Sequence, residues 1–170
     1  MQNTTETILW AGSIIRYHNR PTAQRQTVGE HTWRVMIIYT ELYGEPDAAL
    51  YRYILLHDVA EIVTGDIPFM VKRYYPNFKL AVNRIEIEIE KKLDIKLPEI
   101  TTIEHQRVKT ADLLEMLFFA IDDVNMGCRY SYDIILNILE VLDHDSQILD
   151  YINKKGYQDA INRIIAARED

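Results

Sequence analysis

Between Leu55 and Pro68 the chain reads Leu-Leu-His-Asp-Val-Ala-Glu-Ile-Val-Thr-Gly-Asp-Ile-Pro. This stretch constrains the fold more than any other. It sets His57, Asp58, Glu61 and Asp66 into an apolar run, and buried charges are costly unless they are paired or hold a metal. On a helix His57 and Glu61 share a face, and Asp58 and Glu61 are neighbours three apart. His57 and Asp58 stand about 100° apart around the axis, so both can reach one ion beside the helix. Further ligands must then come from distant parts of the chain.

Glycine, proline and capping signals divide the rest cleanly. Asn3 and Glu6 form a capping pair, opening a first helix expected to reach Tyr17 through Ile8, Trp10, Ile14 and Ile15. The polar stretch His18–Gln26 lacks an apolar period and reads as a long functional loop. Thr27-Val28-Gly29-Glu30 is a second capping box, opening a helix that Gly44 closes and placing His31 in its first turn. A third helix is expected from Pro46-Asp47 through the His-Asp doublet to Gly65, then a short segment with Lys72 and Arg73. Asn77–Leu93 alternates like a strand at Ile85–Glu90. It also keeps helical spacing at Val82, Ile85, Ile89 and Leu93, and a lone strand would have no partner, so helix is expected. Helices over Thr101–Asn125, Ser131–Asp143, Ser146–Lys155 and Tyr157–Glu169 follow. The expectation is an all-α bundle of seven or eight helices, a single domain over residues 1–170.

The formal charge of -7 disfavours nucleic-acid polymers and anionic membranes as partners, while leaving room for a small anion held by local Arg and Lys or by a metal. Cys128 is the only cysteine, which rules out an intrachain disulfide and a cysteine zinc site. No apolar run reaches the length of a membrane span and the N-terminus is unlike a signal peptide, so a cytoplasmic protein is expected.

Two remote residues can complete a site around the doublet. One is His31. The other is Asp112, an acid in the segment Lys109–Glu115 of an otherwise core-facing helix. Singly, His31 reads equally as a capping or surface histidine, Asp112 as a solvated acid, and Glu61 and Asp66 as turn acids before Pro68. Together, two imidazoles and two carboxylates suit a divalent transition metal with a position left open for water.

The series His31, His57-Asp58, Asp112 resembles the HD-domain phosphohydrolase superfamily. Glu30-His31, His57-Asp58-x-x-Glu61 and Gly65-Asp66-Ile67-Pro68 with Lys72 resemble more narrowly the branch of bacterial 5'-deoxynucleotidases. That branch also holds small phage deoxynucleoside triphosphate hydrolases, including dATP triphosphohydrolases. The resemblance implies metal ligation by His31, His57, Asp58 and Asp112, with Zn, Co or Mn as the ion. A triphosphate would call for an additional Mg²⁺. It implies catalytic work for Glu61, as base or acid, with help from Asp66. It implies phosphate contacts by Arg16 and Lys72, with Arg20, Arg25 and Arg73 weaker candidates. Tyr17 stands where the branch usually has Trp, near sugar or base, and Asn19 where members tune base choice. Trp10 could flank the nucleoside, though a core role in the first helix is the plainer expectation.

The implied reaction is metal-dependent hydrolysis of a deoxynucleotide 5'-phosphate ester. The short interval from Asp58 to Asp112 favours a dATP-like dNTP triphosphohydrolase, with 5'-deoxynucleotidase action on dNMPs as the alternative. Two other readings are a cyclic-nucleotide phosphodiesterase, against which Glu61, Asp66, Lys72 and Arg16 argue, and a catalytically silent nucleotide-binding regulator. Related domains assemble, so a homo-oligomer is expected.

Overall fold

From Leu114 to Ile121 every residue is buried, which a helix shows only where neighbours cover its whole circumference. This central helix, α7 (Thr102–Asn125), packs against α2 (Val28–Tyr43) on one side and α8 (Tyr132–Leu142) on another. The computed structural model describes residues 4–142 and 146–169. In chain order the other helices are α1 (Thr4–Ala11), α3 (Ala48–Leu56), α4 (Glu61–Thr64), α5 (Phe69–Tyr74), α6 (Pro76–Lys92), α9 (Ser146–Lys154) and α10 (Gln158–Glu169), with a 3₁₀ turn at Arg129–Ser131. The protein is all-α. Among the described residues β-pairing is limited to one isolated antiparallel bridge, Ile15 with Thr27. No described helix is long and apolar enough to cross a membrane.

One core runs through α2, α3, α7, α8, α9 and α10, and includes Val35, Ile54, Leu117, Phe119, Ile135 and Ile152. A smaller cluster joins Ala11, Leu56, Val59 and Ile95. The capping boxes at Thr27/Glu30 and Thr101/Glu104 are both formed. Asn77–Leu93 is helical, as its i, i+4 spacing predicts. Asn3 and Asp143 lie outside the described residues.

Two expected helices end early, and both breaks shape the site. The first stops at Ala11 rather than Tyr17. There the backbones of Gly12 and Gly29 touch: the Gly29 N–H donates to the Gly12 carbonyl at 2.9 Å, and a Cβ on Gly29 would stand 3.0 Å from that oxygen. Beyond the contact, residues 14–16 run extended along 26–28, with Arg16 N–H on Gln26 O and Val28 N–H on Ile14 O, both 2.9 Å. This strip carries Arg16 inside. Trp10, expected in the core or against a nucleoside, is instead 52% exposed on α1.

The third helix stops at Leu56 rather than Gly65. The Val59 N–H turns back to Leu56 O and the Glu61 N–H to Asp58 O, i to i−3 bonds that tighten the chain into a turn. His57 contributes by donating its Nδ1–H to the Ile54 carbonyl at 2.7 Å. The doublet therefore sits at a helix end rather than on a helix face.

The polar loop after Tyr17 is fastened by Asp123, a fully buried acid of α7. It accepts the Ala23 N–H at 2.6 Å, the Gln24 N–H at 3.3 Å and the Ser131 hydroxyl at 2.7 Å. Asp123→Ala removes the acceptor of two loop N–H groups and of the buried Ser131 hydroxyl, so unfolding free energy should fall by about 2 kcal/mol, read from a urea titration.

Candidate active site

Three elements converge on one point. α2 brings His31, the turn after α3 brings His57 and Asp58, and α7 brings Asp112. The imidazole of His31 is fully buried and that of His57 nearly so. One ligand atom each from His31, His57 and Asp112 lie within 4.8 Å of one another. Asp58 Oδ2 stands 3.4 Å from His31 Nε2 and 3.3 Å from His57 Nε2, and Asp112 Oδ1 is 3.3 Å from His31 Nε2.

These spacings exceed good hydrogen bonds, and both buried Nε2 atoms lack a hydrogen-bond partner among the described residues. Bonds of about 2.1 Å to a tetrahedral ion set neighbouring ligand atoms about 3.4 Å apart, so this donor set fits a divalent transition metal. The electrostatics agree. Burial and Arg16 act to lower the His31 pKa, but Glu115, Asp112 and Asp58 outweigh them and raise it to about 10. The carboxylates call for a cation, and without a metal a proton on His31 serves. Burial lowers the His57 pKa, keeping that ring neutral. Burial opposes ionisation of Asp58 and Asp112, yet His57 and His31 hold the first, and Lys109 and His31 the second, well below the usual carboxylate range.

Beside this cluster opens a cleft of about 660 Å³, including solvent at its mouth, a size suited to a nucleotide. Asp58, Glu61, Asp66 and Asp112 line it with Arg16, Arg20, Lys72 and Lys109, and Tyr17, Phe69, Met116 and Ile134 form an apolar portion. Glu61 is 5% exposed and its Oε2 has no partner among the described residues. Burial, then Asp58 and Asp66, push its pKa up to about 9.

Arg16 donates through Nη1 to Gln26 Oε1 at 2.9 Å and Glu115 Oε2 at 3.2 Å. Tyr17, in the left-handed region at φ 56°, is held there by its N–H on Asp66 Oδ2 at 2.8 Å. Its ring stacks on Phe119 with centroids 4.7 Å apart. Asp66 also lies 3.9 Å from Arg16 Nε, so it braces the Arg16–Tyr17 segment as well as facing the cleft. Lys72 lies in the cleft 3.5 Å from Glu86.

Asn19, expected near the base, is exposed and outside the cleft lining. The turn closed by the Arg20 N–H on Tyr17 O brings Arg20 to the cleft instead. Arg25 is exposed, and Arg73 is spent on Asn137 O and Glu140.

Three participants escaped the sequence reading. Lys109 donates to Asp112 Oδ2 at 2.8 Å and lines the cleft. Glu115, fully buried, lies against His31 Nδ1 at 2.6 Å. Gln26 donates to Glu115 Oε1 at 2.7 Å. A signal for the first two was present: Lys109, Asp112 and Glu115 recur every three residues, at the spacing of one helix face.

The sequence profile of the family described as 5'-deoxynucleotidase YfbR-like matches residues 8–148. A 5'-deoxynucleotidase of Photorhabdus laumondii subsp. laumondii is 28% identical over 169 residues, covering 83% of this chain and 84% of that protein. In fold, the chain is similar to a cyanophage S-2L HD phosphohydrolase, DatZ, solved with dA and one catalytic Zn²⁺ ion. The TM-score is 0.68 at 23% identity, over 94% of this chain and 96% of that one.

Proposed function

The chain belongs to the YfbR-like 5'-deoxynucleotidases, HD-type phosphohydrolases that act on deoxynucleotides, and from that premise we propose that it hydrolyses deoxynucleoside 5'-monophosphates to deoxynucleoside and phosphate. The charge balance of the cleft carries this choice. Three of its four cations already face an acid, Arg16 with Glu115, Lys72 with Glu86 and Lys109 with Asp112, while Arg20 donates to the neutral Tyr130 carbonyl and keeps its charge. Such a cleft suits a dianionic monophosphate better than a triphosphate tail, which needs a larger surplus of positive charge. The dNTP triphosphohydrolase reading is supported by the compact interval between Asp58 and Asp112, and by the likeness in fold to DatZ, solved with dA.

His31, His57, Asp58 and Asp112 would hold the metal. A divalent ion bound there supplies Lewis acidity toward a phosphate oxygen and makes water more acidic. The remaining work falls to the chain. Arg16 and Lys109 flank the cluster with fixed positive charge, and Lys72 adds a mobile one at the cleft. Glu61, protonated by its buried surroundings, gives its proton to the 5'-oxygen as the P–O bond breaks. It then takes the proton released by the attacking water, so the carboxyl ends as it began. Phe69, Met116 and Ile134 exclude water from the nucleoside side.

The deciding experiment incubates zinc-, cobalt- or manganese-supplemented protein with the dNMPs, the dNTPs and ribonucleotide controls. Inorganic phosphate from dNMPs supports the proposal. Triphosphate released from one dNTP transfers the reading to a triphosphohydrolase, and silence across the panel removes both. Lys72→Ala should raise KM about tenfold with kcat nearly unchanged, because a flexible, partly exposed Lys contributes mainly uniform binding.

A further inference from the structure

Glu115 lies behind the metal-capable cluster, off the cleft lining, and the reading of His31 as a ligand leaves it without a role. Resting on that reading, we propose that Glu115 is a positioning residue: it keeps a proton on His31 Nδ1 and so turns the Nε2 lone pair toward the metal.

The contacts are unusually one-sided. Oε2 faces His31 Nδ1 at 2.6 Å and Arg16 Nη1 at 3.2 Å. Oε1 faces Gln26 Nε2 at 2.7 Å and Arg34 Nε at 3.4 Å. The Arg and Gln groups can only donate. A carboxylate, which only accepts, satisfies all four contacts when His31 donates from Nδ1. An amide cannot, since its NH₂ must face either His31 with Arg16 or Gln26 with Arg34.

The placement adds rigidity. Glu115 is one turn beyond Asp112 on α7, so a single buried helix supplies one ligand and orients another. Arg16 shares Oε2 with His31, so the same oxygen ties the cleft's guanidinium to the imidazole. A hydrogen-bonded partner on the far nitrogen of a ligating His fixes its tautomer and raises its basicity.

The experiment measures zinc affinity by competition with a chromogenic chelator for the wild type, His31→Ala, Glu115→Gln and Glu115→Asp, each confirmed as folded. It adds ¹⁵N NMR of the imidazoles in the zinc-loaded wild type. Glu115→Gln is expected to bind zinc 10- to 100-fold more weakly, roughly the effect of losing an outer-shell partner. Glu115→Asp, which keeps the carboxylate, should recover part of that. The His31 ring should carry its proton on Nδ1. Native zinc affinity in folded Glu115→Gln, with a lowered melting temperature alone, would reduce Glu115 to a counter-charge for Arg16 and Arg34 and overturn the inference. A zinc-loaded wild type lacking the Nδ1 proton overturns it too, and that spectrum decides even if Glu115→Gln fails to fold. A His31→Ala protein that binds zinc as the wild type does would instead bring down the ligand reading.

Discussion

Asp58→Ala is expected to lower deoxynucleotide hydrolysis by roughly 10³-fold or more while leaving the protein folded. Asp58 Oδ2 is the atom that stands near both imidazole Nε2 atoms, at 3.4 and 3.3 Å. Its removal leaves His31, His57 and Asp112, a trio with one carboxylate fewer to hold a divalent charge. The turn itself survives, because its closing bond is made by the Asp58 carbonyl to the Glu61 N–H. His31 also keeps its contacts with Asp112 and Glu115. Two measurements separate lost chemistry from lost structure. Steady-state rates give the first. The rise in thermal midpoint on adding zinc gives the second, since a ligand at a hundred times its Kd stabilises the native state by about 2.7 kcal/mol. The wild type should show that rise and Asp58→Ala a smaller one. Near-native turnover in Asp58→Ala would sink the assignment of this cluster as the reaction centre.

The fold was legible wherever local chemistry decided it. The capping box at Thr27/Glu30 announced α2, and the i, i+4 apolar positions of Asn77–Leu93 outvoted their strand-like alternation. The metal-capable set was legible because it departs from packing logic: a His-Asp doublet and an acid in apolar helices have few structural uses. The failures share a cause. The early ends of α1 and α3 depend on contacts between distant parts, the Gly12–Gly29 approach and the turn that aims His57 and Asp58 at His31 and Asp112. Local periodicity carries no trace of either. Asn19, placed by resemblance, lies outside the cleft because the turn closed by the Arg20 N–H on Tyr17 O brings Arg20 there instead, and Trp10 keeps its expected helix but on an exposed face. Glu115 was overlooked because its partners, His31, Arg16, Gln26 and Arg34, arrive from elsewhere in sequence, and an isolated acid in a helix looks solvated until they do.

Glu61→Gln should divide activity from stability. The carboxyl is buried, its Oε2 has no partner among the described residues, and burial with Asp58 and Asp66 lifts its pKa from 4.5 to about 9. In the metal-free protein it therefore holds its proton at neutral pH. The folded state binds that proton more tightly than the unfolded chain, so between about 4.5 and 9 the folded protein carries more protons. Stability from this group is fully present below the lower value and is lost as pH rises through the upper one. Gln keeps the shape and does not titrate. Denaturation of the metal-free proteins across that window should thus show the wild type losing stability relative to Glu61→Gln as pH rises, with the difference levelling above about 9. Catalysis should move the other way. Without a proton to give to the 5'-oxygen, kcat should fall roughly 10²- to 10⁴-fold with KM little changed. The alkaline limb of the wild-type pH–rate profile, drawn below 9 by the charge of the bound cation, should vanish from the residual activity. Parallel stability curves would show that Glu61 is ionised in the folded protein. A native kcat would remove it as proton donor and leave its burial beside Asp58 without a chemical purpose.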